Sequence, residues 1–166
     1  MWRNRPVDKL SRYWAAQRLP VHPGATREAV RQFETTYNVV LPAGMRDYFL
    51  KQDGMSSDWQ YTKDTTGFCK WFSLWELARV LPAAEELRRV DAASAAGPEL
   101  DQYFAFADFM DWSWAYAIRL TSDPREAGRV VMLGTADGVP LEIASSFGEF
   151  VDLLLQDSPR LYPVKT

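Results

Sequence analysis

Cysteine is nearly missing from this 166-residue chain. Cys69 stands alone, so no disulfide can form within the chain, and neither a zinc ribbon nor a CxxC redox pair can be built. That usage fits a reducing, cytoplasmic setting. Histidine is as scarce, with His22 the single imidazole. A Cys69–His22 dyad is conceivable from residue type, but nothing around Cys69 carries a cysteine-hydrolase signature. Cys69 reads better as a small buried hydrophobe. The nucleophile elbow G-x-S-x-G, the P-loop and the G-x-G-x-x-G turn are all absent. So is any apolar run near the ~20 residues that span a bilayer. The first twenty residues lack the apolar stretch of a secretory signal. The expectation is therefore a chain with no catalytic residues, no metal, no cofactor and no membrane association.

Basic residues are also in deficit over most of the chain. Residues 1–20 hold five of them against Asp8 alone, while the remainder holds fourteen basic and twenty-one acidic residues. A nucleic-acid binder that tracks a phosphate backbone needs a basic stripe, so nucleic acid is not the expected partner. An acidic body suits a basic protein partner, where complementary charge speeds encounter.

Aromatic residues are plentiful: nine Phe, seven Trp and seven Tyr. Rings are good core material, and they also concentrate at the energetic centres of protein interfaces. Trp59, Tyr61 and Asp64 fall in a stretch, residues 55–70, that reads as loop or short strands. Trp112 sits beside Asp108 and Asp111 at the start of a strand. Rings with an acidic rim are what an interface centre wants. Trp59, Tyr61, Asp64, Asp108, Asp111 and Trp112 are therefore the expected partner-binding residues. Asp101, Asp108 and Asp111 could in principle hold a hard cation, but without EF-hand spacing they read as solvated loop acids.

Helices dominate the first half. An amphipathic segment covers roughly 7–18. A second helix opens at Thr26, a good N-cap, and stops at Asn38. A third begins at Pro42 and is expected to stop at Asp53-Gly54. Ser73 to Glu76 has the spacing of a capping box and predicts a helix over about 74–90. The last third reads as sheet: a strand at Tyr103–Phe106, an alternating strand from Trp112 to Thr121, a strand at Arg129–Leu133 and a return at Leu141–Ala144. Asp137-Gly138 is the hairpin signal between the last two. A second capping box, Ser146 to Glu149, opens the closing helix. Helices, then a meander, then a helix predict an α+β fold: a single domain with a central, mostly antiparallel sheet flanked by helices.

Three segments together resemble the SUKH superfamily, the group of the Smi/Knr-like proteins. The first is Val30 to Gly54, with Phe33-Glu34, Leu41-Pro42, Tyr48-Phe49 and Asp53-Gly54 in order. The second is Phe72 to Leu77. The third is Tyr103 to Leu155, ending in Ile143-Ala144-Ser145-Ser146-Phe147-Gly148-Glu149-Phe150-Val151. The resemblance covers about residues 26–155 and leaves 1–25 as a basic lead-in to a SUKH-like domain at 26–166. It implies an antiparallel α+β fold and, for bacterial members, immunity: occlusion of a cognate toxin, often a nuclease or deaminase. It carries over no catalytic residue. A regulatory scaffold binding several partners is the second reading. A hydrolase using paired carboxylates, which leave no compact motif, is the third.

Overall fold

The computed structural model describes residues 5–55, 71–91, 97–135 and 137–163. Helix α1 (Pro6–Ala16) begins with proline in its first turn and buries Val7, Leu10 and Trp14 at helical spacing. A short strand β1 (Val21–Pro23) leads to α2 (Arg27–Tyr37). There Thr26 Oγ1 accepts the Ala29 N–H at 3.0 Å, and Asn38 ends the helix in the left-handed conformation. Helix α3 (Ala43–Lys51) follows Pro42 and buries Met45, Tyr48 and Phe49. It runs directly into β2 (Gln52–Met55), which pairs antiparallel with β1.

The main sheet has six strands, all antiparallel: β3 (Phe72–Leu74), β4 (Leu81–Pro82), β5 (Tyr103–Phe109), β6 (Trp114–Arg119), β7 (Val130–Leu133) and β8 (Leu141–Ala144). Their order is β3-β5-β6-β7-β8, with β4 sharing the β3 side of β5. Helix α4 (Ala83–Val90) follows β4, and α5 (Phe147–Leu155) follows β8. The architecture is the expected α+β domain with a central antiparallel sheet.

The two faces of the sheet are unequal. Phe72, Leu74, Phe106, Tyr116, Ile118, Met132 and Ile143 join the large core with side chains of α1, α2, α3 and α5. The other face is floored by Ala105, Ala115 and Ala117, with Val131, Leu133, Trp75 and Leu81 around them. Small side chains let α4 settle close to the strands, with Ala83 fully buried. The alternation of large and small residues along β6 is the sequence signal for this asymmetry.

Three local expectations fail. Ser73 does not cap a helix: it lies in β3, opposite Asp108, because Phe72 and Leu74 on either side are drawn into the core. The chain then makes a 3-10 turn, Leu77–Arg79, and α4 begins only after Pro82. Asp53-Gly54 does not end α3, which stops at Lys51; both residues lie in β2. Gly54 is required for another reason. Its φ is +77°, and a Cβ there would stand 2.3 Å from Glu76 N and 2.5 Å from Trp75 C. His22 lies in β1, 3.9 Å from Glu76. The strand expected from Trp112 begins at Trp114.

The closing capping box forms with one shift. Ser146 Oγ accepts the Glu149 N–H at 3.1 Å, while the Glu149 carboxylate accepts both the N–H and the hydroxyl of Ser145 at 2.7 Å. Those bonds and Arg160 at 3.0 Å pull the Glu149 carboxyl down to about 2.

Two outcomes follow for stability. Gly54→Ala should cost at least about 2 kcal/mol, since it combines a disfavoured φ with a backbone overlap. Urea denaturation checks this, and an unchanged midpoint would refute the close approach. Glu149 has a folded pKa below its ordinary value. Its contribution is therefore complete above about pH 4.5 and is lost as pH falls toward 2. The stability curves of the native chain and Glu149→Gln should differ at neutral pH and converge near pH 2.

Candidate functional site

The turn between β5 and β6 is the most unusual backbone in the described residues. Met110, Asp111 and Trp112 take φ values of 47°, 51° and 69°, three successive left-handed residues without a glycine. For L-residues that conformation costs roughly 1–2 kcal/mol each, so the turn carries on the order of 3–6 kcal/mol of strain. Strain of this kind persists only where surrounding contacts over-determine it.

Those contacts come from two buried acids. Asp108, near the end of β5, is 2% exposed. Its Oδ1 accepts the Trp112 backbone N–H at 3.3 Å, and its Oδ2 accepts the Trp75 indole N–H at 2.6 Å. Arg79 lies 3.9 Å above the Trp75 ring and 3.7 Å from Asp108 Oδ2. Glu86, on the inner side of α4, is 5% exposed, and its Oε1 accepts the Trp112 indole N–H at 2.9 Å. Its other oxygen lies 3.6 Å from Arg89. The turn is tied further by the Met110 N–H to Trp71 O and the Ser113 N–H to Phe109 O, each 2.8 Å. Burial pushes the Asp108 carboxyl up, against the downward pull of Trp75, Arg79 and the Trp112 N–H; nearby Asp111 adds to the rise.

Asp108, Asp111 and Trp112 are thus brought together, but in unlike roles. Asp108 is not the solvated loop acid its sequence context suggests. It lies in a paired strand, on the face covered by α4 and Trp75. Trp112 is half-buried with the small-residue face, not with Trp114 and Tyr116, because the left-handed turn breaks the two-residue alternation before β6 begins. Asp111 is exposed. Trp59, Tyr61 and Asp64 lie outside the described residues.

The turn sits at one end of the sheet, and that end is apolar. Among the described residues six large hydrophobic side chains are exposed, and four of them, Trp71, Met110, Val139 and Leu141, flank the strand ends here. Phe72 pairs with Phe109, Phe109 with Trp114, Ala115 with Leu133 and Leu141 with Met132, so the four residues follow the sheet order from β3 to β8. Four strand spacings make this a span of roughly 19 Å. The described residues along it, 71, 110–113, 134–135 and 137–141, include Asp111 and Asp137 and no Lys or Arg. Gly134, at φ +82°, brings its Cα under the Trp112 ring: a Cβ there would meet Trp112 Cζ3 at 3.4 Å.

Sequence reasoning missed Glu86, Trp75 and the exposed Trp71, Met110, Val139 and Leu141. Glu86 had a legible signal, since it lies three residues from the buried Ala83 on the inward side of α4. The others depend on which strand ends are neighbours, which no local pattern shows.

Elsewhere, a depression of about 780 Å³ between α1 and α3 is lined by Arg5, Asp8, Arg12, Asp47 and Lys51. Its charges are largely occupied with one another: Arg5 pairs with Asp47 at 2.9 Å and Lys51 with Asp8. Among the described residues no three His, Cys, Asp or Glu side chains are grouped to hold a metal ion. No described helix is long and apolar enough to cross a membrane.

The family model described as SMI1 / KNR4 family (SUKH-1) matches residues 24–153. The chain belongs to the SMI1 / KNR4 family. No curated protein matches it. The matched span takes in α2 through most of α5 and so contains the whole main sheet, the left-handed turn and both buried acids. Helix α1 precedes the family span, yet Val7, Leu10 and Trp14 belong to the same core as the sheet. In this member of the SMI1 / KNR4 family, the end of the sheet marked by Met110–Trp112 is the candidate site.

Trp112→Phe keeps a ring against Gly134 but removes the donor to Glu86. A buried carboxylate oxygen left without its partner costs about 1–3 kcal/mol. Denaturant unfolding should show a loss in that range, and a loss confined to a few tenths would mean that Glu86 does not hold the indole.

Proposed function

We propose that this chain is an immunity protein that neutralises a toxin by covering it, with the β3–β8 sheet end as the contact face. The observation carrying this reading is the exposed row of Trp71, Met110, Val139 and Leu141 around a strained, braced turn, with acids and no bases among the described residues beside it. Exposed apolar side chains gathered at one place, with a polar rim, mark a protein contact. Family membership supports the class of activity, and the acidic border supports a basic partner surface, such as a nuclease or deaminase presents to nucleic acid.

No turnover belongs to this reading. Asp108 and Glu86 are buried carboxylates of the kind a hydrolase would use, but their oxygens already accept from Trp75 and Trp112. They brace backbone and indole.

The test is co-expression with the products of the flanking genes, each first expressed alone to find a toxic one. The native chain should restore growth and co-purify with it. Trp71→Ala combined with Met110→Lys should abolish rescue while leaving the folded content by circular dichroism unchanged. Asp111→Lys with Asp137→Lys should slow association several-fold at low salt, and the difference should shrink at high salt, as rim charges do. Full protection by the Trp71/Met110 variant would remove the sheet end as the contact face.

A further inference from the structure

The contact face is built on a backbone that an isolated turn would not hold. Three consecutive left-handed residues relax unless something fixes them, and the fixing groups lie beneath the surface, on two different elements. Glu86 reaches from α4 to the Trp112 indole, and Asp108 reaches from β5 to the Trp112 backbone N–H and the Trp75 indole. Neither carboxylate faces the apolar row directly. Both converge on the one residue from which the exposed pair Met110 and Asp111 is aimed.

We propose that Glu86 and Asp108 are positioning residues that hold Met110 and Asp111 in a partner-ready conformation before any partner arrives. The proposal rests on the sheet end being the contact face and gives that face its physical basis: a surface already fixed in its bound shape loses little freedom on binding. It also makes the two acids unequal. The indole bond uses only Oε1 of Glu86, while the second oxygen faces Arg89 at 3.6 Å. A glutamine at this position keeps the one acceptor needed. Both oxygens of Asp108 accept N–H groups, so an asparagine there must turn its own N–H₂ toward one of two donors. Glu86→Gln is therefore a conservative replacement, and Asp108→Asn is not.

Hydrogen exchange at single N–H groups in the free protein separates this from a general structural role. The Trp114 indole, which donates to Tyr116 Oη at 2.7 Å in the large core, is the internal reference. Glu86→Ala should speed exchange of the Trp112 indole N–H at least tenfold and leave Trp114 unchanged; Glu86→Gln should restore the native rate. Asp108→Asn should speed exchange at the Trp112 backbone N–H or the Trp75 indole by a similar factor, again with Trp114 unmoved. Binding to the toxic polypeptide of the co-expression test should weaken about tenfold for Glu86→Ala and recover in Glu86→Gln. Native exchange rates at Trp112 in both Glu86→Ala and Asp108→Asn would overturn the positioning role. So would a uniform loss of protection that includes Trp114, since that is plain destabilisation. A loosened turn that binds with native affinity would instead overturn the sheet end as the contact face, and the two failures are thereby told apart.

Discussion

Trp112 is held at both of its donors. Its backbone N–H reaches Asp108 and its indole N–H reaches Glu86, so a strand of the sheet and a helix above it meet on one residue. Remove that double hold and the rest of the site has no reason to stay as it is. The left-handed turn would relax toward ordinary backbone, and Met110 and Asp111 would lose their direction. Two buried carboxylates would normally be a liability. Here each has a donor of its own, from an indole or from the backbone, and a guanidinium within 4 Å.

The unequal faces of the sheet make this arrangement possible. On the large face, rings pack edge to face and stack, as Phe109 does on Trp114 at 4.2 Å and Phe106 does against Phe150 at 5.1 Å. That face supplies most of the buried apolar area and hence most of the stability. The alanine-floored face contributes less area, but it admits α4 at short range and so brings Glu86 within reach of the turn. One side of the sheet keeps the domain folded; the other side can therefore accommodate acids and strained backbone.

The fold was legible because it follows from patterns that act over a few residues. Thr26 and Asn38 bracket α2, Ser146 opens α5, and the alternation from Trp114 to Leu120 sorts large from small side chains. The misread segments are those where a distant strand outweighed a local signal. Ser73 and Glu76 have capping-box spacing, but pairing of Phe72–Leu74 with β5 is worth more than one helix turn begun there. Asp53-Gly54 resembles a helix stop, but its glycine answers to the backbone of Trp75 and Glu76. Of the expected contact residues, Asp111 reached the surface while Asp108 went under it. Adjacent acids in a loop-like sequence look alike until the strand pairing assigns their faces.

By itself the sequence determined the class of the protein. The periodicity of its helices and strands settles α+β, and the ordered motifs from Val30 to Val151 place it beside the SMI1 / KNR4 family. Those properties are local or sequential, and chemistry written along the chain suffices for them. Only the tertiary structure decided the site. Trp71, Met110, Val139 and Leu141 are up to seventy residues apart and come to lie along one end of the sheet because five strands, β3, β5, β6, β7 and β8, finish there. The acids that hold Trp112 were fixed by which face of β5 and which side of α4 turned inward, and hydrogen bonding across that gap exists only once the helix is docked.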